Sequence, residues 1–335
     1  MAERISVVVP VFNDGRTLPG ALASLQAQSR APDEVIVVDD GSTDAGTLAL
    51  LRDLERIPPL PGLRVVHRQN GGLFAARHTG IDEATGALLL PLDADDELLP
   101  RSLERLEQAL AAHPEADFAH GPVRYFGAVR GEAVPPRFNP YLELDENPLL
   151  PVALFRMRVF RELGLRYAPL RAFEDWGLWL ACARAGLRGT DVREPVYRYR
   201  RKGTEGLLAW AEQRRPELEA ALRELFPELY APAARAALKR EHAPALELAG
   251  EVDVAEVHAL CARQGLTDVR VRPPFHSARA LLDEARGRLV WLAEPRQLRA
   301  LLQARPETLL QLQLGLEAHP EASILRLALD VPTLT

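Results

Sequence analysis

The chain has 335 residues, of which 47% are hydrophobic and 26% charged, and a formal net charge of −6. That is length enough for two domains with a sizeable core, and the acidic balance, spread over both halves, excludes a broad nucleic-acid-binding face. Two cysteines far apart, Cys182 and Cys261, exclude a disulfide framework and read as reduced core residues, and no apolar run reaches the ~18–20 residues of a membrane span.

The N-terminus runs straight into an apolar stretch, "ISVVVPV" (5–11), which reads as a buried strand rather than a signal peptide. A helix is expected from about Thr17 to Gln28, with Thr17 as its cap. "EVIVVDD" (34–40) is a second buried strand, and Asp44 caps the helix "AGTLALLRDLE" that follows. "LRVVHR" (63–68) is a third strand, and a Gly-Gly turn opens a helix through Ala76 and Ile81. "GALLLPL" (86–92) is a fourth strand, with a helix from about Pro100 to Ala112 after it. Apolar strands alternating with amphipathic helices predict βαβ units, a parallel sheet, and ligands at the carboxyl ends of the strands.

Beyond residue 113 the rhythm loosens. "ADFAHGPVRYFG" suggests a strand, 134–151 a Pro-rich crossing segment, and "VALFRMRVFRELG" a helix ended by Gly164. "FEDWGLWLACARAG" (173–186) reads as a helix with Glu174 and Asp175 in its first turn, and "PVYRYRRKG" (195–203) as an exposed strand. Residues 205–240 are rich in Ala, Leu, Glu and Arg and read as a helical connector. From 241 a weaker α/β rhythm returns: "VAEVHALCARQG" and "ARALLDEARG" look helical, "DVRVR", "RLVWLA", "LLQLQLGL" and "SILRLAL" extended. The expected organisation is a domain over 1–204, a connector over 205–240, and a small C-terminal α/β region over 241–335 of unknown role.

Chemistry concentrates at strand ends. "LLLPLDADDELLP" (88–100) closes an apolar run with Asp93, Asp95, Asp96 and Glu97. Like charges so close need a cation among them, or water at a helix start; hard oxygens at Asp-x-Asp spacing suit Mg²⁺ or Mn²⁺. Asp39 and Asp40 end the second strand and belong on the same sheet edge. Arg77 follows a glycine-opened helix start, a setting that suits phosphate. "YRYRRK" (197–202) offers Arg198, Arg200, Arg201 or Lys202 to a diphosphate, Arg200 being the binding candidate, or else is a solvated charged edge. Of the 41 basic residues only Lys202 and Lys239 are lysines, which reads as the codon usage of a GC-rich genome. Trp176 and Trp179 could stack on a sugar, but packing of their helix accounts for them better. His67, His113 and His120 lack ligand-like spacing and read as structural or exposed.

These segments, "SVVVPVFND" (6–14), "DEVIVVDDGSTD" (33–44), "NGGLFAARHTG" (70–80), "LPLDADDELLP" (90–100) and "FEDWGLWLACARAG" (173–186), resemble in order and spacing the family 2 glycosyltransferases over residues 4–203. The resemblance implies a GT-A fold, Rossmann-like with a mostly parallel sheet flanked by helices. It also implies a divalent metal (Mn²⁺ or Mg²⁺), a nucleotide-diphosphate sugar donor (UDP- or dTDP-linked), and transfer with inversion to a glycan, lipid-linked or protein acceptor. By position it places Pro10, Val11 and Asn13 beside the nucleotide, Asp40 against the base and Arg77 near the nucleotide. Asp93 and Asp95 become the Asp-x-Asp pair, with Asp96 a further metal candidate. Asp175 becomes the general base, with Glu174 beside it. His78 departs from the family, which often carries Asn after that Arg. A nucleotidyltransferase on a related fold and a non-catalytic nucleotide-sugar-binding module are the rival readings; the Glu174–Asp175 pair argues against the first and the intact acidic positions against the second. A cytoplasmic protein is expected, with peripheral attachment at the inner membrane face and a homodimer left open.

Overall fold

The computed structural model of the protein describes residues 3–242, apart from 134, 136, 204 and 205, and beyond them four short strands. The chain divides into two compact units, Met1–Ala237 and Leu238–Thr335.

The first unit begins with β1 (Ile5–Val11), in which every residue is buried. β-branched residues suit a strand covered on both faces, and such a strand loses the polar alternation of a half-exposed one. After β1 come α1 (Leu18–Gln26), β2 (Glu34–Asp39), α2 (Ala45–Arg56), β3 (Leu63–His67), α3 (Leu73–Glu83) and β4 (Leu88–Pro91). β1 pairs in parallel with β2 (Val9 with Val37) and with β4 (Val7 with Leu90), and β2 pairs in parallel with β3. The last β1–β4 pair is Val8 with Pro91. Pro10 of β1 lies past it, so the two central strands part at their carboxyl ends, where prolines interrupt the ladder.

The remaining elements are β5 (Glu97–Leu98), α4 (Ser102–Ala112), β6 (Phe118–His120), β7 (Val123–Gly127), β8 (Gly131–Ala133), β9 (Leu154–Arg156), α5 (Arg158–Arg161), α6 (Glu174–Arg184), β10 (Gly189–Asp191) and β11 (Tyr197–Arg201). The main sheet has seven strands in the order β10-β6-β9-β4-β1-β2-β3, and a smaller one the order β5-β11-β7-β8. The main sheet is parallel except for β9, which is antiparallel to both β4 and β6. This is the mostly parallel, helix-flanked sheet that the sequence predicts.

Local details follow the side chains. Asp44 caps α2, accepting a hydrogen bond from the Thr47 N–H at 2.7 Å, a contact of the kind that contributes about 1 kcal/mol. Thr17 does not cap α1 with its side chain; its hydroxyl donates instead to the Asp14 carbonyl at 3.2 Å. α3 lies directly on β1, because a Cβ on Gly80 would sit 2.2 Å from Val8 Cγ1.

Two segments differ from expectation. "VALFRMRVFRELG" is not one helix: Leu154 and Phe155, wholly buried, form the antiparallel strand β9, and only the four residues of α5 are helical. The open slot between β4 and β6 overrides a helical apolar spacing. "ADFAHGPVRYFG" is two strands in different sheets, parted at Gly121-Pro122, where a Cβ on Gly121 would meet Val192 Cγ2 at 2.6 Å.

Trp176 and Trp179 are 1% exposed. Trp179 packs on Phe118 and Phe155 at centroid distances of 5.1 and 5.5 Å, and Trp176 Nε1 donates to the Glu143 carbonyl at 2.7 Å. Both serve packing. Cys182 is buried and reduced, while Cys261 lies outside the described residues.

Helices α7 (Leu207–Gln213), α8 (Arg215–Leu225), α9 (Pro227–Tyr230) and α10 (Pro232–His242) follow. Among the described residues no helix is long and apolar enough to cross a membrane.

In the second unit β12 (Leu246–Leu248), β13 (Val269–Val271), β14 (Val290–Leu292) and β15 (Ile324–Arg326) form an all-parallel sheet in the order β13-β12-β14-β15. β13, β14 and β15 fall inside "DVRVR", "RLVWLA" and "SILRLAL". The helices expected at 254–265 and 278–287 and the strand expected at 309–316 lie outside the described residues.

Candidate active site

Where β1 and β4 part, the chain encloses a cleft of about 950 Å³, within the size range of small-molecule sites. Its walls bring together Pro10, Val11, Asp40, Arg77, Asp93, Asp95, Glu174, Asp175 and Arg200, the residues that the motifs single out except Asn13 and Asp96.

Asn13 is spent on architecture. It holds φ +60°, and its side-chain oxygen accepts from the N–H groups of Thr43 and Asp44 at 2.8 Å each, tying the loop after β1 to the loop after β2. Asp40 is almost completely buried. Its carboxylate accepts from the Gly71 N–H at 3.1 Å, from the Gly72 N–H at 2.7 Å, and from Arg68. Gly72, at φ +87°, is the N-cap residue of α3 and has no side chain to cap it; Asp40, just after β2, instead holds the two glycines that lead into the helix by their N–H groups.

Arg77 is 1% exposed. Nη2 donates to Asp93 Oδ1 at 2.7 Å and Nη1 to Glu174 Oε1 at 2.5 Å, and the guanidinium lies 4.8 Å over the Tyr167 ring. A cation this deep survives only when paired. Burial works against its charge, but Asp93 and Glu174 hold it firmly charged. The fork is therefore committed to two carboxylates, clamping the end of β4 to the start of α6.

The acidic run after β4 separates into unlike parts. Asp96 is 1% exposed; it accepts from the Arg200 backbone N–H at 2.6 Å and from the Tyr197 hydroxyl. Burial first, then Asp95 and Asp93, push its carboxyl well above the ordinary range. It joins the small sheet to the loop and does not line the cleft. Asp93 and Asp95 do line it, the first held by Arg77, the second 2.6 Å from Lys202 Nζ. Among the described residues no three His, Cys, Asp or Glu side chains are gathered to hold a metal ion. Two half-buried carboxylates still fit Mg²⁺ or Mn²⁺, which often take only one or two from the protein when a diphosphate supplies further oxygens. Arg200 braces this loop: its Nε donates to the Asp95 carbonyl at 2.8 Å and its guanidinium lies 4.3 Å over Phe126.

Across the cleft, α6 starts under constraint. Its N-cap residue Phe173 takes φ +60°, a left-handed conformation rare for a bulky residue, and a Cβ on Gly177 would fall 2.2 Å from Ala168 Cβ. Glu174 pairs with Arg77. Asp175 makes no ion pair among the described residues; Oδ1 accepts from the Trp176 N–H at 2.9 Å and Oδ2 from Asn147 Nδ2 at 3.3 Å. One guanidinium thus faces three carboxylates. Burial is the largest influence on both acids: it pushes Glu174 up to about 7 and raises Asp175, with Arg77 pulling each the other way. A carboxyl lifted from its ordinary range in a cleft suits proton transfer near neutral pH.

Sequence reasoning passed over Asn147 and Asp14. Asn147 sits in the aperiodic Pro-rich stretch and meets Asp175 only through the fold. Asp14 ends the first motif and lines the cleft; burial, then Asp95, raise its carboxyl, while Lys202 opposes them. His67 turns out to be structural, its Nδ1 lying 2.8 Å from Asp39 Oδ2.

Residues 6–170 match the family model described as Glycosyl transferase family 2. A PGL/p-HBAD biosynthesis glycosyltransferase of Mycobacterium bovis is 30% identical over 190 residues, 54% of this chain and 70% of the relative. The chain belongs to glycosyltransferase family 2. Other relatives are matched over less of their length. An uncharacterized glycosyltransferase of Escherichia coli, YibD, is 34% identical over 35% of this chain and 33% of its own. The uncharacterized protein y4gI of Sinorhizobium fredii is 33% identical over 53% of this chain and 20% of its own. Among solved structures, S. aureus TarS 1–349 in complex with UDP-GlcNAc superimposes with a TM-score of 0.53 at 21% identity, covering 71% of this chain and 70% of that one, a likeness of fold.

Proposed function

We propose that the protein is an inverting, metal-assisted glycosyltransferase that moves a sugar from a nucleotide-diphosphate donor to an acceptor hydroxyl, with Asp175 as general base. The observation that carries this reading is the separation of carboxylates within one cleft: Asp93 and Asp95 on the β4 side, held by cations, and Asp175 at the start of α6, held only by N–H donors.

Asp93 and Asp95 would hold a divalent cation, whose chemistry is to neutralise charge developing on the departing diphosphate. The chain's own groups do the rest. Asp175, its oxygens oriented by Asn147 and the Trp176 N–H, accepts the proton of the attacking hydroxyl. Glu174, tied to Arg77, fixes the first turn of α6 and with it the direction of Asp175. A single base and no protein nucleophile lead to inversion, by the geometric logic of inverting glycoside hydrolysis. In this reading residues 1–204 carry the chemistry, the helices that follow complete the first unit and add Leu207, Ala211 and Arg215 to the cleft wall, and 241–335 take no part in donor or metal binding. The UDP-GlcNAc held by TarS supports a UDP-linked sugar as the first donor to test, with dTDP-linked sugars next.

The test is incubation with a panel of nucleotide-sugars and Mn²⁺, scored for released nucleotide, beside thermal shift with the same donors, since a bound ligand raises apparent stability by mass action. Release of a nucleoside diphosphate on adding an acceptor supports the reading. Release of inorganic diphosphate from a nucleoside triphosphate would favour a nucleotidyltransferase, and donor binding without turnover over an acceptor panel a non-catalytic module.

A further inference from the structure

The chain uses arginine for nearly all of its 41 basic residues, and one of its two lysines, Lys202, stands in the cleft. Its Nζ lies 2.6 Å from Asp95 Oδ2, and the charge of Asp14, in the loop after β1, also favours the ammonium. The arginines just before it are turned onto rings: Arg198 lies 4.5 Å over Phe126, Arg200 4.3 Å over Phe126, and Arg201 5.5 Å over Tyr125. Lys202 is thus the cation of this strand end whose charged head meets the Asp95 carboxylate. The residue type matters. An ammonium is a compact point charge, closer in size and hydration to a small metal cation than is a flat guanidinium that seeks two parallel hydrogen bonds.

We propose that Lys202 is a tethered counter-ion of Asp95, its ammonium filling the place that a divalent cation needs at that carboxylate, so that metal enters by displacing it and the displaced ammonium pairs with the donor's diphosphate. The proposal rests on the reading of Asp93 and Asp95 as the metal pair. It explains how Asp14, Asp93 and Asp95 share one wall without metal: Lys202 and Arg77 each neutralise part of the cluster. It also fixes a sign. A residue that supports a metal site loses affinity when removed; a residue that competes for the site gains it. Two cations at one carboxylate oxygen repel strongly at the low effective dielectric of a cleft.

The experiment is a Mn²⁺ titration, without nucleotide, of the parent, Lys202→Met and Asp95→Asn, followed by the electron paramagnetic resonance of free Mn²⁺. UDP titrations of the same preparations at saturating Mn²⁺ follow, and Lys202→Gln serves as a second variant should Lys202→Met melt early. The expected result is that Lys202→Met and Lys202→Gln bind Mn²⁺ at least ~10-fold more tightly than the parent, a modest share of a like-charge contact at this separation, and bind UDP less tightly. Asp95→Asn loses Mn²⁺. Equal or weaker Mn²⁺ binding by both lysine variants, or no Mn²⁺ binding by any of these proteins, overturns the proposal, as does undiminished UDP affinity. Failure of the functional reading looks different: the parent then binds neither UDP nor a nucleotide-sugar, whatever the Mn²⁺ titrations return.

Discussion

The acidic run after β4 and the acidic pair opening α6 use the same side chains in the same cleft, yet their charge is handled in opposite ways. Asp93 and Asp95 stand half-buried, each facing a cation, Arg77 or Lys202, and Asp96 is buried on a backbone N–H and a tyrosine hydroxyl. Glu174 and Asp175 are adjacent in sequence and divided in role, one bonded to Arg77, the other to an amide and a backbone N–H. A carboxylate with a cation is prepared to exchange it for another cation; a carboxylate held by neutral donors, and raised by burial, is prepared to take a proton. Arg77 bonds to one acid of each group.

Substitutions can break this contrast, and the largest effect falls on Arg77. Arg77→Met removes the shared cation and leaves Asp93 and the buried Glu174 facing each other. Unfolding by urea is expected to show a loss of about 3–5 kcal/mol, the scale for removing one partner of a buried pair. A loss below about 1 kcal/mol would mean that the clamp carries little of the fold.

Asp175→Asn comes next. It keeps shape and one of the two acceptor oxygens but cannot take a proton. Transfer is expected to slow by at least ~10²-fold, while calorimetry shows nucleotide and Mn²⁺ binding close to the parent's. Retained transfer would remove Asp175 from the chemistry and leave Glu174 to be tested; lost nucleotide binding would place Asp175 in the donor site.

The contrast sharpens within the β4 run. Asp95→Asn is expected to weaken Mn²⁺-dependent donor binding by at least the ~10-fold that even an outer-shell loss costs a metal site, with little change in melting temperature. Asp96→Asn is expected to do the reverse, lowering the melting temperature and leaving metal dependence intact. Matching behaviour of the two variants would erase the distinction drawn between them.

The smallest effect is a displacement in pH. Burial raises Asp175 and the Asn147 donor opposes that rise. With Asp175 as the proposed base, transfer needs its ionised form, and the rate is expected to fall as pH drops through the Asp175 titration. In Asn147→Leu that acid limb is expected to move to higher pH, with donor KM unchanged. The groups facing Asp175 that set the limb are Glu174, Arg77, Asp93, Glu143, Tyr167 and Tyr199. Stability carries a related signature. Glu174 is raised to about 7 in the folded chain, so its contribution is fully present below the ordinary glutamate range and is lost as pH rises through about 7. A Glu174→Gln variant is expected to flatten that part of the melting-temperature profile.

How far this was legible in the sequence depends on distance along the chain. β1, β2 and β4 are doubly covered strands, and their unbroken apolar runs announce them. The Asp-x-Asp run is visible because carboxylates at a strand end are local facts. β9 was not visible: Leu154 and Phe155 sit in a spacing that a helix also satisfies, and only the slot between β4 and β6 decides for a strand. Arg77 could be singled out, but its partners lie 16 and 97 residues away, so a phosphate clamp read from the motif is in the fold a clamp on two carboxylates. Asn147 left no signal, since its neighbours lack periodicity and its partner is 28 residues on.

Gly80 sets the working tolerance of this arrangement. It shares the buried face of α3 with Arg77, and nothing larger than hydrogen fits between that helix and Val8. A single methyl group there would act as a shim, lifting α3 from the sheet and carrying the guanidinium with it, out of reach of one carboxylate or the other. The alignment of Asp93 and Asp95 with the acids that open α6, some 80 residues on in the chain, is thus gauged by the thickness of a glycine.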